Sequence, residues 1–136
     1  MTLKAFFAAG AIAIASLLTL AAPAVAQDTG PRTFDVSAKP LEGTWSIETR
    51  DDGSYIVFGD DFVTSNAPDL KIFLSQQDVR NVTDNTALDE AVFVAELKSS
   101  KGAQEYKLPD GFSLTNYHSV LIHCEQFTVF WGGANL

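Results

Sequence analysis

The chain has 136 residues, with nine Lys and Arg against seventeen Asp and Glu, for a formal net charge of −8. That length fits one domain around one core, and an acid excess with scattered bases makes nucleic acid and anionic lipid poor partners, since both need basic clusters. Beyond the N-terminus no apolar stretch approaches the ~20 residues of a membrane-spanning helix, so no membrane span is expected in the mature chain.

The first residues read as an export signal. Lys4 gives a positive n-region, Ala5 to Leu20 an apolar run, and Ala24-Val25-Ala26 a small-residue cleavage site, the pattern of a cleaved secretory signal peptide over residues 1–26. The expected location is therefore periplasmic or secreted. Residues 27–40, polar and holding Gly30 and Pro31, are expected to be a flexible leader, with the folded domain spanning 41–136.

Gly43 to Thr49 alternates Trp45 and Ile47 with polar residues, as a half-buried strand does. Asp51-Asp52-Gly53 is a turn signal, and Tyr55 to Phe58 follows as the partner strand. Gly59-Asp60-Asp61 turns into the short run Phe62 to Thr64. Ser65 to Asp69 is a loop, and Leu70 to Ser75 a strand with Leu70, Ile72 and Leu74 on one side. Gln76 to Asp89 has no periodicity and reads as a long loop. Val92 to Leu97, rich in β-branched residues, favours strand over helix. Gln104 to Leu108 is a short strand bracketed by Gly102 and Pro109-Asp110-Gly111. About eight short strands with turn signals between them predict an all-β fold, an antiparallel β-sandwich or barrel-like domain.

The segment Ser119 to Gly132 closes the chain's pattern. In a strand Val120, Ile122 and Cys124 share one face, the expected buried one, opposite Ser119, Leu121, His123 and Glu125. Past Glu125 and Gln126 the apolar pattern restarts at Phe127, giving either two strands or one strand broken by a bulge. Cys124 is the only cysteine. In an oxidising compartment it has no internal disulfide partner, which leaves a buried thiol, a ligand, or a group that pairs with another molecule.

Several blocks together resemble the DM13 family of electron-transfer domains. They are Gly43-Thr44-Trp45-Ser46-Ile47, Gly53 to Phe58, Asp60 to Thr64 with Ala67 to Ser75, Gly102 to Tyr106 before Leu108-Pro109, and Ser119 through Cys124 to Phe127, on to Trp131-Gly132 and Ala134. The resemblance covers roughly residues 41–136. It implies a small extracytoplasmic β-domain whose hallmark cysteine, here Cys124, acts in redox chemistry as a bare thiol or through a bound group such as haem. With no second redox module in this chain, the implied partner is a separate redox or envelope protein.

The candidate chemistries differ in what they require. A thiol reacts as thiolate and needs a cation or metal close by, whereas an inert core cysteine needs only apolar neighbours. A haem would be noncovalent, because covalent attachment takes two cysteines, and its axial ligand would be Cys124, His118 or His123. Blue copper takes two histidines and a cysteine around one ion. His118 lies about 20 Å from Cys124 along a straight strand and His123 faces the other way, so these three do not converge without a sharp bend. Asp51, Asp52, Asp60, Asp61 and Asp69 offer oxygens for calcium, but Asp in turns more often bonds its own backbone. No nucleophile elbow, phosphate loop or zinc-protease motif occurs. Two functions follow as expectations: electron transfer or thiol redox chemistry through Cys124, or a noncatalytic interaction or ligand-binding sandwich in which Cys124 is structural and the 76–89 loop meets a partner.

Overall fold

The computed structural model describes residues 29–136; the expected signal peptide lies outside these residues. Eleven strands form among them. A four-stranded antiparallel sheet runs in the order β1 (Thr29–Thr33), β4 (Thr44–Arg50), β5 (Gly53–Phe58), β9 (Gln104–Lys107). A five-stranded sheet runs β2 (Val36–Ser37), β11 (Val129–Asn135), β10 (Ser119–Cys124), β7 (Leu70–Ser75), β8 (Ala91–Glu96). A small pair, β3 (Leu41–Glu42) with β6 (Val63–Thr64), completes the described strands.

The two larger sheets pack as a sandwich around the alternating residues the sequence singles out. Trp45, Ile47, Ile56, Phe58 and Tyr106 come from one sheet, and Leu70, Ile72, Leu74, Val120, Ile122, Cys124 and Trp131 from the other. The all-β reading therefore holds, as a sandwich and without a closed barrel. Phe58 stacks on Phe62 with ring centroids 4.6 Å apart, closing one side of this core.

Two expectations are corrected, and one choice the sequence leaves open is decided. Residues 29–40 are not all a flexible leader: β1 pairs with β4, β2 pairs with β11, and the Trp45 Nε1–H donates to Thr33 O at 3.1 Å. The hydrogen-bond demand of two open sheet edges, not local propensity, recruits these polar residues. Of the two readings offered past Glu125, two strands is the one that forms: a hairpin turn joins β10 to β11, with Thr128 N–H donating to Glu125 O at 3.2 Å and Thr128 at φ +52°. The bulge falls instead at Trp131, since Ile122 pairs with Gly132 while His123 pairs with Phe130. That extra residue sends Trp131 into the main core and Phe130 to the sheet's far side.

The second correction concerns β10, expected to bury one face and burying both. The 76–90 segment, which begins with a 3-10 turn at Val79–Asn81, folds across the outer face of the five-stranded sheet. Val79, Val82 and Ala87 cover Phe73, Leu121 and Phe130 as a second, smaller core. Polar bonds hold the cover down. Asn135 Oδ1 accepts from Val79 N–H at 2.9 Å, Asp84 Oδ1 from Phe130 N–H at 2.8 Å, and Gln77 O from the Ser119 hydroxyl at 2.8 Å.

Candidate functional site

Cys124 is the last residue of β10, paired with Leu70 on β7 and Val129 on β11. Alternation turns its side chain inward with Val120 and Ile122, and it is 0% exposed within the main core. Its thiol is thus set among hydrocarbon, and no cation is held against it by a described bond.

His123, one residue earlier, points to the other core. It is 1% exposed, and neither Nδ1 nor Nε2 has a hydrogen-bond partner. Its ring meets Phe73 edge-on at 6.3 Å between centroids. Burial lowers its pKa from the ordinary histidine value because the imidazolium would lose its water, and the charges of Asp84 and Glu125 oppose that shift. His118 precedes β10 at its opposite end and is exposed, its backbone bonded to Ser75 O and to Leu136 N–H.

These placements decide what the three residues can hold. Cys124 and His123 are neighbours in sequence but lie in separate cores, and His118 stands about 20 Å from Cys124 along β10. No bend brings them together, so they do not fit a haem with a ligand pair or a three-ligand copper site. Among the described residues no three His, Cys, Asp or Glu side chains group to hold a metal ion. The turn carboxylates serve the chain itself. Asp61 Oδ1 accepts from Thr44 N–H at 2.9 Å and from its hydroxyl at 2.8 Å, Asp52 Oδ2 accepts from Tyr55 OH at 2.8 Å, and Asp69 Oδ2 accepts from Gln126 N–H at 3.0 Å.

One surface feature lies beside the sulfur's end of the sheet and escapes sequence reasoning. A cleft of about 310 Å³ forms where the loop before β7 meets the chain leaving β8, lined by Asn66, Asp69, Leu70, Leu97, Lys98 and Ser100 among others. Leu97 N–H donating to Leu70 O at 2.8 Å joins its two walls. Leu70 is also the cross-strand neighbour of Cys124, and Leu97 packs on the same core. Lys71 sits nearby, bridging Glu125 at 2.9 Å and Asp69 at 3.3 Å. No local pattern announces that residues 66–70 and 96–100 face each other. No helix among the described residues is long and apolar enough to cross a membrane.

A family model described as Electron transfer DM13 matches residues 33–136. No curated protein and no solved structure matches the chain.

Proposed function

This chain belongs to the electron-transfer DM13 family, and on that premise we propose that it is an exported domain that exchanges electrons with a separate protein through Cys124. The observation that carries the reading is that the one sulfur of the domain lies a single cross-strand neighbour, Leu70, from a surface cleft. The step available to a lone thiol is exchange with a partner's disulfide. Cys124 gives up its proton to water and the thiolate forms a bond to one partner sulfur. The partner's S–S bond breaks, and its departing thiolate takes up a proton. The partner disulfide is the oxidant. A reduced dithiol protein then attacks the Cys124 sulfur of the mixed disulfide and releases the partner's second thiol, and the donor's other thiol displaces Cys124 as the donor's own disulfide closes, so two electrons pass from donor dithiol to partner disulfide.

The enclosure of Cys124 sets a condition on this step. The Cys124 sulfur and both sulfurs of the partner disulfide must be collinear, with attacker and target in contact, so Leu70 and the cleft wall have to move before exchange. Export supports the reading independently: the residue 1–26 pattern would deliver the domain to an oxidising compartment. N-terminal sequencing of the secreted protein, expected to begin at Gln27, checks this part.

The zero exposure of Cys124 favours a second reading, a noncatalytic interaction domain in which the sulfur only fills space. One experiment separates them. Folded protein is treated with a small maleimide, and labelling of Cys124 is followed by mass spectrometry alongside the rate of global unfolding. Electron transfer through Cys124 requires labelling faster than unfolding, at least tenfold faster again in Leu70→Ala, and no mixed disulfide with an oxidised dithiol protein in Cys124→Ala. Labelling that merely tracks global unfolding in both proteins leaves the interaction domain.

A further inference from the structure

A sheet edge carries unpaired N–H and C=O groups, and proteins blunt their edges with short strands, Pro, charge or bulges. The two large sheets here have four edges. β2 is two residues long. β1 carries Pro31 and Arg32, and its register shifts between Thr29 and Arg32. β9 is four residues with Glu105 and Lys107, and Lys98 Nζ donates to Glu105 O at 2.7 Å.

The fourth edge, β8, is different. From Ala91 to Ala95 it has neither a charge nor a proline. Val92 is 39% exposed and Phe93 52%, with Leu88 exposed just before them. Its one irregularity, the register shift that leaves Val94 extra, lies past Phe93, so Ala91, Val92 and Phe93 stay in register with Ser75, Leu74 and Phe73. The outer side of β8 carries no strand among the described residues.

Charge around this edge selects the occupant. Asp89 and Glu90 precede the strand and Glu96 ends it, and none of the three is in an ion pair among the described residues. A second copy added antiparallel about Phe93 would set Glu90 against Glu96 at both ends, and a parallel copy would set each against itself. Like charges directly opposed destabilise a strand pair. We infer that β8 accepts an extended segment of a partner protein, apolar at alternate positions and bearing Lys or Arg at both ends, as an added strand. Backbone hydrogen bonds supply the attachment, Val92 and Phe93 the apolar contact, and the flanking acids the selection.

The test titrates the whole domain with two capped synthetic peptides, Lys-Val-Thr-Val-Thr-Val-Lys and Glu-Val-Thr-Val-Thr-Val-Glu, reading backbone amide NMR shifts. The basic peptide is expected to shift the amides of Ala91 to Val94 and to bind at least tenfold more tightly than the acidic one, with the preference shrinking as salt rises. The double variant Glu90→Lys with Glu96→Lys reverses the order. Val92→Lys, at the edge and away from the Phe73–Phe93 ring contact, weakens both. No shift in β8 with either peptide, equal binding of the two, or shifts centred elsewhere overturns the inference. So does a peptide-free dimer in sedimentation that Val92→Lys dissolves, because the occupant is then a second copy.

Discussion

The indole Nε1–H of Trp131 donates to Thr64 Oγ1 at 2.8 Å, and the Thr64 hydroxyl in turn donates to Pro40 O at 2.7 Å. A tryptophan at the bulge of β11 is thereby tied to β6 and to the chain before β3, joining the five-stranded sheet to the two-stranded one. Thr64→Val keeps the shape and leaves the indole N–H without its acceptor, at a cost of about 1–3 kcal/mol. Thr64→Ser, which keeps the hydroxyl, is expected to lose less. Urea unfolding followed by tryptophan fluorescence measures both.

Cys124 in hydrocarbon ranks its own substitutions. Cys124→Ala removes one sulfur from a packed site and should cost about 1 kcal/mol or a little more. Cys124→Ser is nearly isosteric but buries a hydroxyl with no polar neighbour, adding a penalty of roughly 1–3 kcal/mol. Serine is therefore expected to be the more damaging change in equilibrium unfolding, and alanine the proper control for redox assays. A serine variant as stable as wild type would mean that a polar group or water reaches the sulfur.

Acid should loosen this fold through His123 before it touches the carboxylates. Its folded pKa is depressed by burial, so the unfolded chain takes up the proton first, and stability is full above about pH 7.5 and falls as pH drops below the unfolded value of about 6.5. Between about pH 7.5 and 5 the unfolded chain binds this proton ahead of the folded one, so the loss from this group is expected to grow steadily as pH falls through the window. His123→Phe should flatten the profile over that window. Below about pH 4 both proteins should lose stability alike, since hydrogen bonds from Thr44 hold the Asp61 carboxyl below its usual range and those from Arg80 N–H and Asn135 do the same for Asp78. Stability in urea across pH, for both proteins, decides the matter.

Gly133 lets the cover approach the sheet. A β-carbon there would overlap Val120 O and sit 3.1 Å from Val79 Cγ2. Gly133→Ala is expected to push the Val79–Asn81 turn outward, costing about 1–3 kcal/mol and speeding amide exchange across residues 77–90. Unchanged exchange there would mean that the strand itself yields instead.

What the sequence discloses here follows from where the ordering force originates. Trp45 with Ile47, Ile56 with Phe58, Leu70 with Ile72 and Leu74, and Val120 with Ile122 and Cys124 are buried as their alternation predicts, because a half-buried strand writes its period into the chain. β1 and β2 were illegible, since Gly30 and Pro31 argue for coil and only the waiting edges of β4 and β11 supply partners. The second core was illegible for a related reason: Val79, Val82 and Ala87 reach the sheet from a stretch with no period at all. Alternation correctly parted His123 from Cys124, but it could not say that both faces are roofed. Nor could it say that Leu70, the cross-strand neighbour of Cys124, also lines a cleft whose walls are some thirty residues apart in the chain.

A strand flanked by partners on both sides and covered above and below has no quick way to breathe. β10 is such a strand, and its amides are expected to be among the last to trade hydrogen for deuterium. A sulfur mounted on it keeps slow time: under the electron transfer proposed for Cys124, the pace is expected to follow how often the rim at Leu70 parts, and not the intrinsic speed of thiol chemistry.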